Sequence, residues 1–111
     1  LDIVVNNLRN SAELFENQLC TGTSLQVDLK WHNSLNTRAI GTEMILHTSV
    51  GNYIRTVKSS SGYLSGDTSR IHFGIPSSSI IETLEINWSD GEQSVVDIPS
   101  QVQYMIVERI D

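Results

Sequence analysis

Leu25-Gln26-Val27-Asp28-Leu29-Lys30-Trp31 alternates strictly between apolar and polar side chains. Successive side chains of a strand point to opposite faces, so this stretch predicts a β-strand with one apolar face and one wet face. The same period returns at Leu84-Glu85-Ile86-Asn87-Trp88. Between and after these runs lie further strand-like segments at 42–48, 53–58, 70–75, 93–98 and 102–109. Ser49-Val50-Gly51-Asn52 and Ser89-Asp90-Gly91-Glu92 read as turns, because glycine and asparagine tolerate positive φ. Residues 42–58 are therefore predicted as a hairpin. Pro76 is expected to stop one strand and Pro99 another, since proline cannot donate to a ladder. No convincing helical stripe of ten or more residues is present. Asn10–Asn17 offers a helical alternative, with Asn10 as cap and Glu13 three residues on, but strand is preferred there.

The predicted class is all-β: a compact antiparallel β-sandwich of about seven to nine short strands, with a partly open β-barrel as the alternative. The expected core comprises Leu25, Val27, Leu29, Trp31, Ile40, Met44, Leu46, Phe73, Leu84, Ile86, Trp88, Val95, Tyr104 and Ile106.

Composition agrees. A chain of 111 residues suits one domain with one modest core. It is 39% hydrophobic and 18% charged, within the range of a folded chain. No apolar run approaches the length needed to span a bilayer, and no signal peptide is visible. The net charge of −6 opposes non-specific binding to nucleic acid. That charge is uneven: Arg38, Arg55, Lys58 and Arg70 face only Glu43 and Asp67 within 38–70. This small basic cluster suits either an anionic partner or ordinary solvated strand faces. Cys20 is the single cysteine, so no internal disulfide forms, and it is expected as a small core or boundary residue.

Four short patches occur in a fixed order: Asn36-x-x-Ala39-Ile40-Gly41, Ser60-Ser61-Gly62-Tyr63-Leu64-Ser65, His72-Phe73-Gly74-Ile75 and Trp88-x-Asp90-Gly91. Gly41 is expected to permit a bend. Gly62 is expected to turn its loop so that Tyr63 and Leu64 fold inward, and Gly74 to break a strand. Together, over roughly residues 24–109, the patches resemble the ASPIC/UnbV domain, a module that usually follows a β-propeller of FG-GAP/VCBS repeats. Ser89 stands where that family commonly has proline before Asp-Gly, and Pro76 where it tends to have glycine. The family's functional residues are poorly defined, so none carries over.

Residues 1–18 differ from the rest. Leu1-Asp2-Ile3-Val4-Val5-Asn6-Asn7 followed by Ala12-Glu13-Leu14-Phe15-Glu16-Asn17 resembles the end of an FG-GAP/VCBS repeat. The division implied is a repeat remnant over 1–18 and an ASPIC/UnbV-like domain over 19–111. Asp2 alone matches the repeat's acidic calcium loop, and one carboxylate cannot hold Ca²⁺. The segment is expected to form a hairpin that docks on the sandwich or pairs with a second chain.

No catalytic, cofactor-binding or metal-binding residue is assigned. His72 lacks a sequence-defined nucleophile and acid, and no Gly-x-Ser-x-Gly elbow exists. His32 and His47 show no zinc spacing. Asp67, Asp90 and Glu92 sit in loops where turn chemistry accounts for Asp90 better than calcium does. The sequon Asn87-Trp88-Ser89 lies inside a strand beside a core tryptophan, a poor place for a glycan. The resemblance implies a non-catalytic accessory domain of a secreted or cell-surface propeller protein, acting in binding or adhesion on a protein or glycan. No cofactor is expected in this piece, with calcium belonging to the adjoining propeller. Two other classes are weighed. A carbohydrate-binding sandwich would need exposed, coplanar rings among Trp31, Trp88, Tyr53, Tyr63 and Tyr104. An enzyme would need a pocket joining His72 to an acid and a hydroxyl.

Overall fold

The computed structural model describes residues 2–16, 22–76, 79–98 and 102–110. These form nine strands and no helix: β1 (Ile3–Val5), β2 (Glu13–Phe15), β3 (Gly22–Trp31), β4 (Glu43–Thr48), β5 (Gly51–Thr56), β6 (Ile71–Pro76), β7 (Ile81–Asn87), β8 (Gln93–Asp97) and β9 (Tyr104–Arg109). β1 and β2 form a separate hairpin. The others build a three-stranded sheet ordered β6-β3-β9 and a four-stranded sheet ordered β5-β4-β7-β8. Neither sheet closes into a barrel, and the apolar faces of the two sheets share one core, so the domain is a β-sandwich. One pairing departs from the antiparallel expectation. β9 runs parallel to β3, with Gln26 opposite Tyr104 and Trp31 opposite Arg109.

The period-two reading places the inner faces of β3, β4 and β7 correctly. Leu25, Val27 and Leu29, then Met44 and Leu46, then Leu84 and Ile86 are all buried, and Trp31 and Trp88 close the core at one end. Phe73 is fully buried as expected. Each such side chain contributes about 1.5–3 kcal/mol through removal from water. Four expected core residues are instead exposed: Ile40 at 40%, Val95 at 62%, Tyr104 at 42% and Ile106 at 44%. In β8 and β9 consecutive residues are apolar, so the sequence shows no alternation. Pairing decides the phase: Val96 lies opposite Leu84 and Val107 opposite Leu29, and these neighbours pack against the core. Ala39 takes the buried place expected of Ile40. Val57, Ile71, Ile75 and Ile98 complete the core.

Three loop expectations also change. The β4–β5 turn is tighter than predicted, because Thr48 already pairs with Gly51, leaving only Ser49 and Val50 between the strands. Gly74 does not break β6, which continues through Pro76 on the edge of its sheet. Tyr63 and Leu64 do not fold inward; they are 93% and 88% exposed. Leu64, with φ 51, supplies the left-handed residue of that loop. Gly41 meets its expectation: its φ of 93 is costly for any residue with a Cβ, although a Cβ there would find room beside Ser89.

Strand, rather than helix, is also the structure at 13–15. β1 and β2 pair with Ile3 opposite Phe15, and the Asn7 amide donates to the Ser11 carbonyl across the loop. The hairpin does not dock on the sandwich, since all six of its strand residues are exposed. Cys20 and Pro99 lie outside the described residues, as does the expected boundary at 18/19.

Trp88 is 3% exposed, and its Nε1 donates to Ser94 Oγ at 2.9 Å. Replacing it removes a large buried ring and leaves that hydroxyl without its partner. Trp88→Ala is predicted to destabilise the domain by roughly 3–5 kcal/mol in urea unfolding. A midpoint equal to that of the wild type would contradict this packing.

Candidate functional site

β3, β6 and β9 present their polar side chains on the face of their sheet turned away from the core. Gln26, Asp28 and Lys30 stand two residues apart along β3. Gln26 lies opposite His72 on one side and Tyr104 on the other. Arg70, just before β6, reaches across to Asp28: its Nε donates to Asp28 Oδ2 at 3.1 Å, and its Nη2 lies 3.0 Å from the same oxygen. The Tyr104 hydroxyl donates to that oxygen at 2.7 Å. The Arg70 guanidinium also covers the Tyr104 ring at 4.7 Å. Asp28 is only 7% exposed, so its charge requires these partners. Burial alone pushes its carboxyl upward, but the bonds from Tyr104 and Arg70 outweigh it and hold the carboxyl below its usual range. The bond to Asp28 correspondingly pushes the Tyr104 phenol up.

This network borders an open cleft of about 580 Å³ lined by Gln26, Asp28, Arg38, Thr68, Ser69, Arg70 and His72. A smaller hollow of about 260 Å³, lined by Lys30, Trp31, His32, Thr37 and Arg38, shares Arg38 with it. Burial, with a smaller contribution from the charge of Arg55, lowers the pKa of His72 below its ordinary 6.5, which favours the neutral imidazole at pH 7. His72 thus shares a cleft with an acid and two hydroxyls. It forms no hydrogen bond with any of them, and Asp28 is already engaged by Arg70 and Tyr104. His32 and His47 each lie beside a carboxylate, Glu108 at 3.5 Å and Glu85 at 3.9 Å.

The aromatic side chains do not assemble a flat platform among the described residues. Trp31 and Trp88 are buried, with ring centroids 5.8 Å apart and planes 58° apart. Tyr53 packs against the core, Tyr104 is covered by Arg70, and Tyr63 stands on an exposed loop with no aromatic partner among the described residues. Asp67 accepts from Ser61 Oγ, and Asp90 is taken up by Arg109 and the Glu92 amide. No group of three or more His, Cys, Asp or Glu side chains suited to a metal ion occurs among the described residues. No described helix is long and apolar enough to cross a membrane.

The first and the last of the four patches shape loops of this sandwich. Asn36 clasps its loop: its side-chain amide donates to the Ile40 carbonyl at 2.8 Å, while its side-chain oxygen accepts from the Ile40 amide at 3.0 Å. This holds Ala39 inward at φ 55. In the Trp88 turn, Asp90 Oδ1 accepts from the Glu92 amide and Gly91 takes φ 97. Asp90 then receives two bonds from Arg109, at 2.8 and 3.0 Å. Arg109 in turn lies over Trp31 at 4.4 Å and Trp88 at 5.2 Å.

These features define a β-sandwich domain with loops clasped by Asx-type hydrogen bonds and a polar cleft on one outer face. The chain belongs to the ASPIC and UnbV family, whose model matches residues 32–110. No curated protein matches it.

The sequence did not reveal the Asp28–Arg70–Tyr104 network. Its members lie 42 and 76 positions apart, and Tyr104 was expected in the core. The alternation of β3 marks Asp28 as an ordinary outward-facing polar residue, so no local signal pointed to the network.

Asp28 and Asp90 are both held below the ordinary value of 3.8, the latter chiefly by hydrogen bonds from Arg109 and then from the Glu92 amide. A depressed folded-state pKa contributes stability that is fully present above the unfolded value. It is lost as pH falls through the folded value. The domain is therefore predicted to lose stability progressively below about pH 4. Asp90→Asn should be less stable at pH 7 and show a shallower acid decline in urea unfolding. An unchanged decline would contradict this assignment.

Proposed function

We propose that the chain is a non-catalytic accessory domain of a secreted or cell-surface protein, that it adjoins an FG-GAP/VCBS β-propeller, and that it acts in binding or adhesion. Membership of the ASPIC and UnbV family supports the setting. The exposed Ile3–Val5 and Glu13–Phe15 hairpin supports the adjoining repeat, since apolar residues such as Val4, at 70%, and Leu14, at 71%, suit packing against a neighbouring blade. In this reading calcium belongs to the propeller loops, and the domain itself uses no cofactor.

The observation that carries the binding role is the cleft on the outer face of the three-stranded sheet. Its Asp28, Arg70 and Tyr104 are fixed by one another, whereas Gln26, Arg38, Ser69 and His72 make no side-chain hydrogen bond to a described residue. Rigid surroundings with uncommitted donors favour recognition. Nucleophilic catalysis would instead require a hydroxyl bonded to His72 and an acid orienting that imidazole.

Fluorescent tetramers of the chain, applied to a panel of intact cells and extracellular-matrix surfaces, should bind saturably. Arg38→Glu should weaken that binding by about tenfold, the scale of one lost charge-assisted hydrogen bond. Absence of saturable binding, together with turnover of a chromogenic ester, phosphate or glycoside that His72→Ala abolishes, would replace this reading with an enzymatic one.

A further inference from the structure

The cleft has an unusual balance of donors and acceptors for so acidic a chain. Its lining contains two arginines and one carboxylate, leaving an excess positive charge on a chain of net charge −6. The carboxylate, Asp28, already receives Arg70 and Tyr104 on Oδ2. Arg38 is exposed and makes no hydrogen bond or ion pair with a described residue. Ser69, Gln26 and His72 are half-buried with no side-chain partner among the described residues. Thr68 Oγ1 accepts from the Arg70 amide and retains its own proton for donation. A neutral imidazole also supplies one N–H. These donors are open to water rather than buried and unsatisfied, so they can exchange water for a ligand's acceptors, and their convergence on one hollow points to a ligand that brings several.

The donors come from separate parts of the chain: Gln26 from β3, Arg38 from the loop after it, Thr68 and Ser69 from the segment before β6, and His72 from β6. Such an arrangement offers hydrogen bonds from several sides. That suits a tetrahedral group with three outward oxygens better than a planar carboxylate, which a single arginine fork satisfies. Arg70 is held by Asp28 and by the Tyr104 ring, so its charge is in place before a ligand arrives. The volume, about 580 Å³, lies within the usual range for ligand sites and exceeds the needs of a bare inorganic anion.

We infer that this cleft binds a tetrahedral oxyanion, an ester sulfate or phosphate carried on a larger molecule such as a sugar, with Arg38 as the principal charge contact and Gln26, Ser69 and His72 as donors around it. This rests on the reading of the chain as a binding domain and names the chemistry of its ligand.

The test is an amide-resolved NMR titration of the whole chain with inorganic sulfate, inorganic phosphate, sodium acetate, a sulfated disaccharide, its desulfated twin and a sugar phosphate. Sulfate or phosphate should shift the resonances of Gln26, Ser69 and His72, and acetate should do so more weakly. The esterified sugar should bind at least about tenfold more tightly than its uncharged twin, and more weakly as salt rises. The stronger of the two ester arms identifies the source. Arg38→Ala, at an exposed position without partners, should lower affinity by about tenfold while leaving the remaining spectrum in place. Ser69→Ala should give a second, milder loss.

Equal affinity in Arg38→Ala, equal binding of the uncharged twin, or shifts confined to other surfaces would overturn the inference. Failure of all anions at the cleft with surface binding intact would refute the oxyanion site and leave the binding role standing. Sulfate or phosphate binding at the cleft without any cell or matrix binding would do the reverse.

Discussion

The arrangement of both sheets converges on Arg109. Its side chain is only 11% exposed, so its charge must be matched where it lies. Asp90 accepts two hydrogen bonds from it, and the rings of Trp31 and Trp88 supply two aromatic faces. Trp31 belongs to the three-stranded sheet, whereas Trp88 and Asp90 follow β7 in the four-stranded sheet. Arg109 therefore ties the two sheets together at one end of the core. This geometry depends on the parallel pairing of β9 with β3, which places Arg109 in the same row as Trp31. It also gives the Trp88-x-Asp90-Gly91 patch a physical reason: the tryptophan forms a wall, the aspartate a counter-charge, and Gly91 the φ of 97 that the turn requires.

The two strands that meet at this clamp also carry the outer site. Alternation along β3 sends Leu25, Val27, Leu29 and Trp31 inward and leaves Gln26, Asp28 and Lys30 outside. In β9, Met105, Val107 and Arg109 face the core while Tyr104 meets Asp28 outside. A register slip of one residue would move Arg109 to solvent and Tyr104 to the core, destroying both arrangements together. Core packing and the polar face are thus two consequences of one register.

How far the sequence was legible follows from the same alternation. Residues 25–31 of β3 and 84–88, from β7 into its turn, contrast apolar with polar residues at every step, so their faces could be assigned directly; in β4 the polar flanks Glu43 and His47 set the phase around Met44-Ile45-Leu46. β8 contains Val95-Val96, and β9 contains Tyr104-Met105-Ile106-Val107, where no contrast exists and only pairing partners decide. Ile40 was expected inside on hydrophobicity, but the Asn36 clasp turns Ala39 inward instead. The outer site was less legible. Arg70 and Tyr104 reach Asp28 only after the chain has crossed between sheets, and a local pattern carries no trace of that encounter. The basic cluster at 38–70 was visible as a composition bias, but only the fold shows that two of its four members, Arg38 and Arg70, line a cleft.

The most direct measurement is a double-mutant cycle on the clamp, read by urea unfolding at pH 7. Arg109→Leu should cost about 2–4 kcal/mol, below the full range for breaking a buried pair because Asp90 is 38% exposed. Arg109→Lys should recover little of that loss, since an ammonium cannot reproduce the two-bond fork or stack as a plane. Asp90→Asn should then add little in the Arg109→Leu background, showing that the two residues act as one unit. A cost for Arg109→Leu within about 0.5 kcal/mol of zero, or full additivity of the two substitutions, would show that the sheets do not depend on this contact.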